Sequence, residues 1–198
     1  MGHLPVLPVL IPMFAGALLL LMARSSMTLK RSLSVVATLA QLPLAWMLMG
    51  QADAGLTVYA LGNWEPPFGI VLVVDRLAAL MLGIAAVLAS CVILYAARGD
   101  DGLGRNFHAI FQFQLMGITG AFLTGDLFNL FVFFEILLIA SYALLLHGAG
   151  SARVRAGLHY VVLNLFGSAL FLTAAGTLYG ITGTLNMADM AQRVATLG

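Results

Sequence analysis

Charge is what this chain has least of. Asp, Glu, Lys and Arg make up 9% of its 198 residues, 62% are hydrophobic, and the mean hydropathy is +1.03. A soluble domain carries about 25% charged residues, so a packed water-soluble fold is excluded. The net charge of +1 and the absence of any basic cluster larger than Lys30-Arg31 remove nucleic acid as a partner. Cysteine is almost absent too. Cys91 stands alone within an apolar run, so no intrachain disulfide can form, and it reads as a small buried hydrophobe. The sequence has no cysteine cluster for iron–sulfur, no paired histidines at haem spacing, no Walker glycine loop and no HExxH. Ser90, Ser141 and Ser168 lack a suitably placed base. No cofactor, no metal and no catalytic residue is expected, and the chain does not read as an enzyme.

What the chain has instead is long apolar runs. Crossing the hydrocarbon core takes about 20 apolar residues in a helix, and six runs qualify: 4–23, 32–50, 77–97, 108–125, 127–147 and 157–180. The fold class expected is an all-α polytopic membrane protein of six transmembrane helices in the lipid bilayer. No Lys or Arg precedes the first run, so it reads as an uncleaved helix rather than a signal peptide. Pro5, Pro8 and Pro12 then lie in its first turns or pack against neighbours. Gly125-Asp126 predicts a tight hairpin between the fourth and fifth spans. Segment 51–76, with Gly62-Asn63 and Pro66-Pro67, predicts a short β-hairpin or irregular loop at the surface. Tyr59 and Trp64 there suit an interfacial aromatic belt. After Gly180, Thr184 or Asn186 is placed to cap a short helix.

The basic residues set a direction. Arg24, Lys30 and Arg31 fall in the first connection, Arg98 and Arg105 in the third, Arg153 and Arg155 in the fifth. Of the nine Lys and Arg, only Arg76 and Arg193 lie opposite. By the positive-inside rule the 1–2, 3–4 and 5–6 connections are cytoplasmic, with the amino terminus and 51–76 outside.

Glu135 is the only acidic residue inside any of these runs, in LFNLFVFFEILLIASYALLLH. It lies about two residues, ~3 Å, from the middle of its span. A carboxylate at that depth costs roughly 2.5–3.5 kcal/mol or more, and an intramembrane ionisable group is by default a candidate for moving protons or cations. The competing reading is a protonated, hydrogen-bonded structural carboxyl. Every Lys and Arg falls in a connection, so no cationic partner is in sight. Tyr142, two turns along, reads either as a donor to a water chain or as a packing residue. His147 and His159 lie near the inner edge; each alone reads as interfacial or hydrogen-bonded, and as a pair they point to cytoplasmic proton uptake. His159 differs from Glu135 in depth by ~14 Å, too far for contact. Of Gln112 and Gln114, two positions apart, at most one faces Glu135. Asn129, Asn164, Ser168, Thr173 and Thr177 read as interhelical hydrogen-bonding residues. Gly117-xxx-Ala121 and Gly176-xxx-Gly180 read as close-packing sites.

The stretches WEPPFGIVLVVDRLAALM, GDLFNLFVFFEILLIASYALL and LHYVVLNLFGSALFLTAAGTLYGITGTLNMADMA resemble the D subunit of Mrp/Pha-type multisubunit Na⁺(K⁺)/H⁺ antiporters. That subunit belongs to the proton-conducting family shared with the antiporter-like membrane subunits of NADH–quinone oxidoreductase. TGTLNMADMA and WEPPFGI favour the Mrp/Pha branch, whereas Phe-Phe-Glu is common to both. The resemblance implies that Glu135 is the family's fifth-helix glutamate, paired with a lysine on a seventh helix. It implies exchange of cytoplasmic Na⁺ or K⁺ for external H⁺ in a bacterial inner membrane, within a complex with other antiporter subunits. Residues 1–126 would then be leading helices, and 127–198 the start of the transporter domain, incomplete at its carboxyl end. Without a seventh helix the chain is expected to be inactive alone. His159 stands where many relatives have lysine. The alternative is a proton-pumping subunit of a respiratory oxidoreductase or hydrogenase.

Overall fold

The computed structural model describes residues 2–22, 24–64, 69–104, 106–148 and 150–196. The Pro66-Pro67 turn, Arg105 and the last residue of the first run lie outside them. All six spans are helical. A 3-10 turn, Leu4–Val6, leads into α1 (Leu7–Leu21). Helices α2 (Met27–Leu39) and α3 (Gln41–Ala54) together form the second span. The remaining spans are α4 (Arg76–Ala96), α5 (Phe107–Leu123), α6 (Leu127–Leu145) and α7 (Ser151–Thr182), followed by a short α8 (Met187–Ala195). Five segments are long and apolar enough to cross a membrane, and α5, with 17 residues, is a shorter apolar helix. Helix α7 is the opposite case. Its 32 residues span ~48 Å, well beyond a hydrocarbon core of about 30 Å.

Proline explains two local features. Pro12 has no N–H, so the Pro8 carbonyl loses its intrahelical partner. Gln41 Nε2 at 3.3 Å and Thr119 Oγ1 at 2.9 Å donate to it instead. This satisfies a backbone group that lipid cannot, and it stitches α1 to α3 and α5. In the second span, the ring of Pro43 crowds the carbonyl of Leu39, and the break between α2 and α3 falls at the next residue, Ala40.

The helix ends are capped by the side chains their sequence supplies. Ser26, Asp75, Asp126 and Asn186 each accept a hydrogen bond from the first turn of α2, α4, α6 and α8, as short polar residues at N-caps do. Asn186, rather than Thr184, is therefore the α8 cap.

Segment 51–76 holds a two-stranded antiparallel hairpin, β1 (Thr57–Ala60) and β2 (Val71–Val74), with Thr57 opposite Val74. It is not simply a surface loop. Leu72 and Val74 are 2% and 0% exposed and belong to the core. Leu72 also pairs with Thr124, Asp126 pairs with Asn186, and the Gly125 N–H donates to Val71 O. The α5–α6 turn is thus clamped between β2 and the residues before α8.

Two faces result. The hairpin face carries the start of α1, where His3 Nδ1 meets the Tyr59 hydroxyl at 2.7 Å. The basic face brings together the first, third and fifth connections, through Arg31–Asp101 and His147–Asp100 contacts. Lys30, Arg31, Arg153 and Arg155 lie within the first turns of α2 and α7 rather than in connections.

Helices α5 and α6 approach closely at two glycines. A Cβ on Gly117 would sit 2.8 Å from Leu137 N, and one on Gly120 would strike the Phe133 ring. The small-residue seam thus includes Gly120 beside Gly117, and Ala121 packs against the core. Gly176 and Gly180 make no such close contact among the described residues: a Cβ at either meets nothing within 4 Å. Cys91 is exposed on α4, where a buried position was expected.

Candidate functional site

Glu135 is half-buried on the side of α6 that meets α7. The Ser168 hydroxyl, on α7, donates to its Oε1 at 2.5 Å. Beside them lies a cavity of about 170 Å³. Phe131, Phe134 and Leu138 of α6 line it with Asn164, Gly167, Ser168 and Phe171 of α7. The ring of Phe171 stacks on Phe131 at 6.0 Å and meets Phe134 edge-on at 6.1 Å. The carboxylate therefore has one neutral donor, an aromatic surround, and an adjoining space whose polar side chains are Asn164 and Ser168. Among the described residues, no Lys or Arg forms an ion pair with it.

Tyr160, Asn164 and Ser168 recur at four-residue spacing, hence on one stripe of α7. The stripe leads from Glu135 towards the basic face, into a larger cavity of about 660 Å³ among α4, α5, α6 and α7. Gln114, Ser141 and Tyr160 are its polar lining, and Ser141 Oγ lies 3.3 Å from the Tyr160 hydroxyl. The Gln114 side-chain oxygen is buried with no partner among the described residues. Tyr142 packs edge-on against Tyr160, with ring centroids 5.6 Å apart. The expected Tyr142 is thus next to this route, seven positions (~10 Å) from Glu135. The regular Tyr160/Asn164/Ser168 spacing was a sequence signal for it.

The two expected histidines are not brought to Glu135. His159 lies eight residues inside α7 rather than about three from its end, is exposed, and shares a hydrogen bond with Arg155 O on its own helix. It is nine positions, ~14 Å, from Ser168. His147 is knitted into the basic face: Nε2 lies 3.0 Å from Asp100 O, its ring packs on Phe107 at 5.0 Å, and Arg153 donates to its carbonyl.

Gln112 and Gln114 face opposite ways. Gln112 is fully buried against α2, donating to Ser34 O, Ser34 Oγ and Thr38 Oγ1. One turn nearer the basic face, buried His108 meets Asp101, which also receives both guanidinium hydrogen bonds of Arg31. Those hydrogen bonds from Arg31, then His108, hold the Asp101 carboxyl below the usual carboxylate range. This cluster was not singled out from the sequence, because Asp101 sits in a connection 70 residues from Arg31.

Residues 124–197 match the model of the NADH:quinone oxidoreductase/Mrp antiporter membrane family. Through that segment, just over a third of its length, the chain is similar to this family. Over its whole length it is 49% identical to the D subunit of the probable K⁺/H⁺ antiporter of Rhizobium meliloti, spanning 38% of that protein. It is 42% identical to the D subunit of the Na⁺/H⁺ antiporter of Alkalihalophilus pseudofirmus, spanning 40% of it. Among solved structures, a chain of the Mrp complex from Dietzia sp. superposes with a TM-score of 0.86 at 28% identity, over 98% of this chain and 40% of that one. A chain of the archaeal membrane-bound sulfane sulfur reductase gives 0.90 at 31% identity, over 96% and 40%. The chain spans about two-fifths of the length of the curated relatives it matches.

Proposed function

We propose that this chain supplies part of the proton route in the D subunit of a monovalent cation/proton antiporter. It exchanges Na⁺ or K⁺ for H⁺ and works in a complex with other antiporter subunits in the cell inner membrane. The observation that carries the reading is a carboxylate at mid-span, on the α6–α7 seam, with a hydroxyl donor and an adjoining cavity that Asn164 and Ser168 help to line. Glu135 takes up and releases the proton. Tyr142 stands beside the way towards the basic face, against Tyr160, and His147 and His159 serve at its mouth. The basic face is cytoplasmic and the hairpin face external. Residues 1–126 form the leading helices; 127–198 begin the transporter domain.

The chemistry is that of a carboxyl whose charge follows its partners. A cation brought near favours the ionised form, and withdrawing it favours the protonated form. Ser168 can serve both states, since a hydroxyl donates to the carboxylate and accepts from the acid. Glu135→Gln in the complete complex, assayed as cation-driven proton movement in everted vesicles, is expected to abolish exchange. Unchanged exchange would sink the proposed role. The second reading, a proton-pumping component of a respiratory complex, is favoured by the close superposition on the sulfane sulfur reductase chain. Neighbouring reading frames decide between them: small antiporter subunits for the first, iron–sulfur subunits for the second.

A further inference from the structure

Helices α3 and α4 leave an open groove between them on the outside of the bundle, with a volume of about 580 Å³. Leu42, Trp46 and Met49 of α3 line it with Leu80, Ile84 and Leu88 of α4, and no lining residue is charged or carries an amide or hydroxyl side chain. Gly83 keeps the groove open, since a Cβ there meets nothing within 4 Å. The groove has a polar end. Asp53 lies one turn beyond Met49 and Arg76 one turn before Leu80, so each continues the stripe of its helix that lines the groove. They form an ion pair, Arg76 Nε 3.3 Å from Asp53 Oδ1, with side chains 74% and 64% exposed. A pair this exposed adds little to stability, and neither side chain has another partner among the described residues. The neighbouring Asp75 carboxylate is occupied in capping α4.

Length selects the occupant. Asp53 to Leu42 is ~17 Å along α3, and Arg76 to Leu88 is ~18 Å along α4, at the helical rise. That is close to half of the hydrocarbon core of about 30 Å, the depth of one leaflet. A transmembrane helix of another subunit would need a groove along the whole core, whereas an acyl chain needs only its own leaflet. At the polar end, two opposite charges side by side match a headgroup that carries both signs. Its phosphate oxygens accept from the Arg76 guanidinium, and its protonated amine donates to the Asp53 carboxylate. A purely anionic headgroup would meet Asp53 as a like charge, and a quaternary ammonium has no N–H to donate. We propose that the α3–α4 groove holds one zwitterionic phospholipid with a primary-amine headgroup, a phosphatidylethanolamine, from the leaflet on the hairpin face.

The test is photolabelling of the complete complex in phosphatidylcholine nanodiscs doped with a phospholipid whose acyl chain carries a diazirine, with adducts mapped by mass spectrometry. Probes with ethanolamine, choline and glycerol headgroups are compared. Residues 42–49 and 80–88 are expected to carry about tenfold more adducts with the ethanolamine probe than with either other, the effect of one hydrogen bond to a charged group. Asp53→Ala is expected to remove that preference. Gly83→Leu, which fills the groove from an unobstructed Cβ, is expected to remove the adducts themselves. Equal labelling by the probes overturns the proposal. So does a groove that no probe labels, the result if a helix of another subunit covers it. If a variant does not assemble, the comparison of probes on the native complex decides alone. The readout is lipid occupancy, not transport, so it stands or falls independently of the role of Glu135.

Discussion

Glu135 and Ser168 face each other across the α6–α7 seam, and the hydroxyl is the one donor to the carboxylate among the described residues. A hydrogen bond to a charged group contributes about 1.5–3 kcal/mol, and each 1.4 kcal/mol is tenfold in rate. Ser168→Ala in the complete complex is therefore expected to slow exchange by roughly tenfold or more, while Ser168→Thr, which keeps the hydroxyl, stays near the native rate. Equal rates for Ser168→Ala and the native complex in everted vesicles count against any part for the hydroxyl. Glu135 was legible in the sequence because a lone carboxylate in an apolar run is a thermodynamic anomaly. Ser168 was not, since a serine in a membrane helix has many ordinary partners, and only the packing of α6 on α7 selects this one.

The elements that hold the site in place were legible to different degrees. Six helices followed from apolar run length, and the hairpin from its turn residues. The burial of β2 did not follow. Val71-Leu72-Val73-Val74 is too short a run to betray that it would sit beneath the α5–α6 turn. The role of Pro12 was equally hidden, because the acceptor it frees on Pro8 is filled by residues from two other helices. Thr119→Val removes one of those two donors to Pro8 O. It is expected to cost about 1 kcal/mol, seen as a lower unfolding temperature of the detergent-solubilised complex, with Thr119→Ser close to native. The Arg31–Asp101–His108 cluster adds a pH dependence whose sign is fixed. The folded-state pKa of Asp101 lies below the ordinary carboxylate value, so its contribution is complete above about pH 4 and fades as the pH falls below it. Asp101→Asn should flatten that acid limb of thermal stability and lower stability at neutral pH. A variant as stable as the native protein at pH 7 contradicts this account of the α2–α5 contact.

At the scale of the molecule, the arrangement of faces turns a counting rule into geometry. The count of Lys and Arg predicted that the first, third and fifth connections share a side. Contacts between Arg31 and Asp101, and between His147 and Asp100, bring those connections together. His3 and Tyr59 likewise join the start of α1 to the hairpin. Which face is cytoplasmic is a separate matter, carried by the positive-inside bias alone, and it decides whether protons approach Glu135 along the Tyr160–Asn164 stripe from inside. Single cysteines resolve it. With Cys91→Ala removing the one native thiol, Trp64→Cys on the hairpin face and Ser151→Cys at the head of α7 are both at exposed positions. A membrane-impermeant maleimide is expected to label Trp64→Cys in whole cells and Ser151→Cys only in everted vesicles. The reverse pattern would turn the protein over in the bilayer, placing the Gln114–Ser141–Tyr160 cavity on the external side.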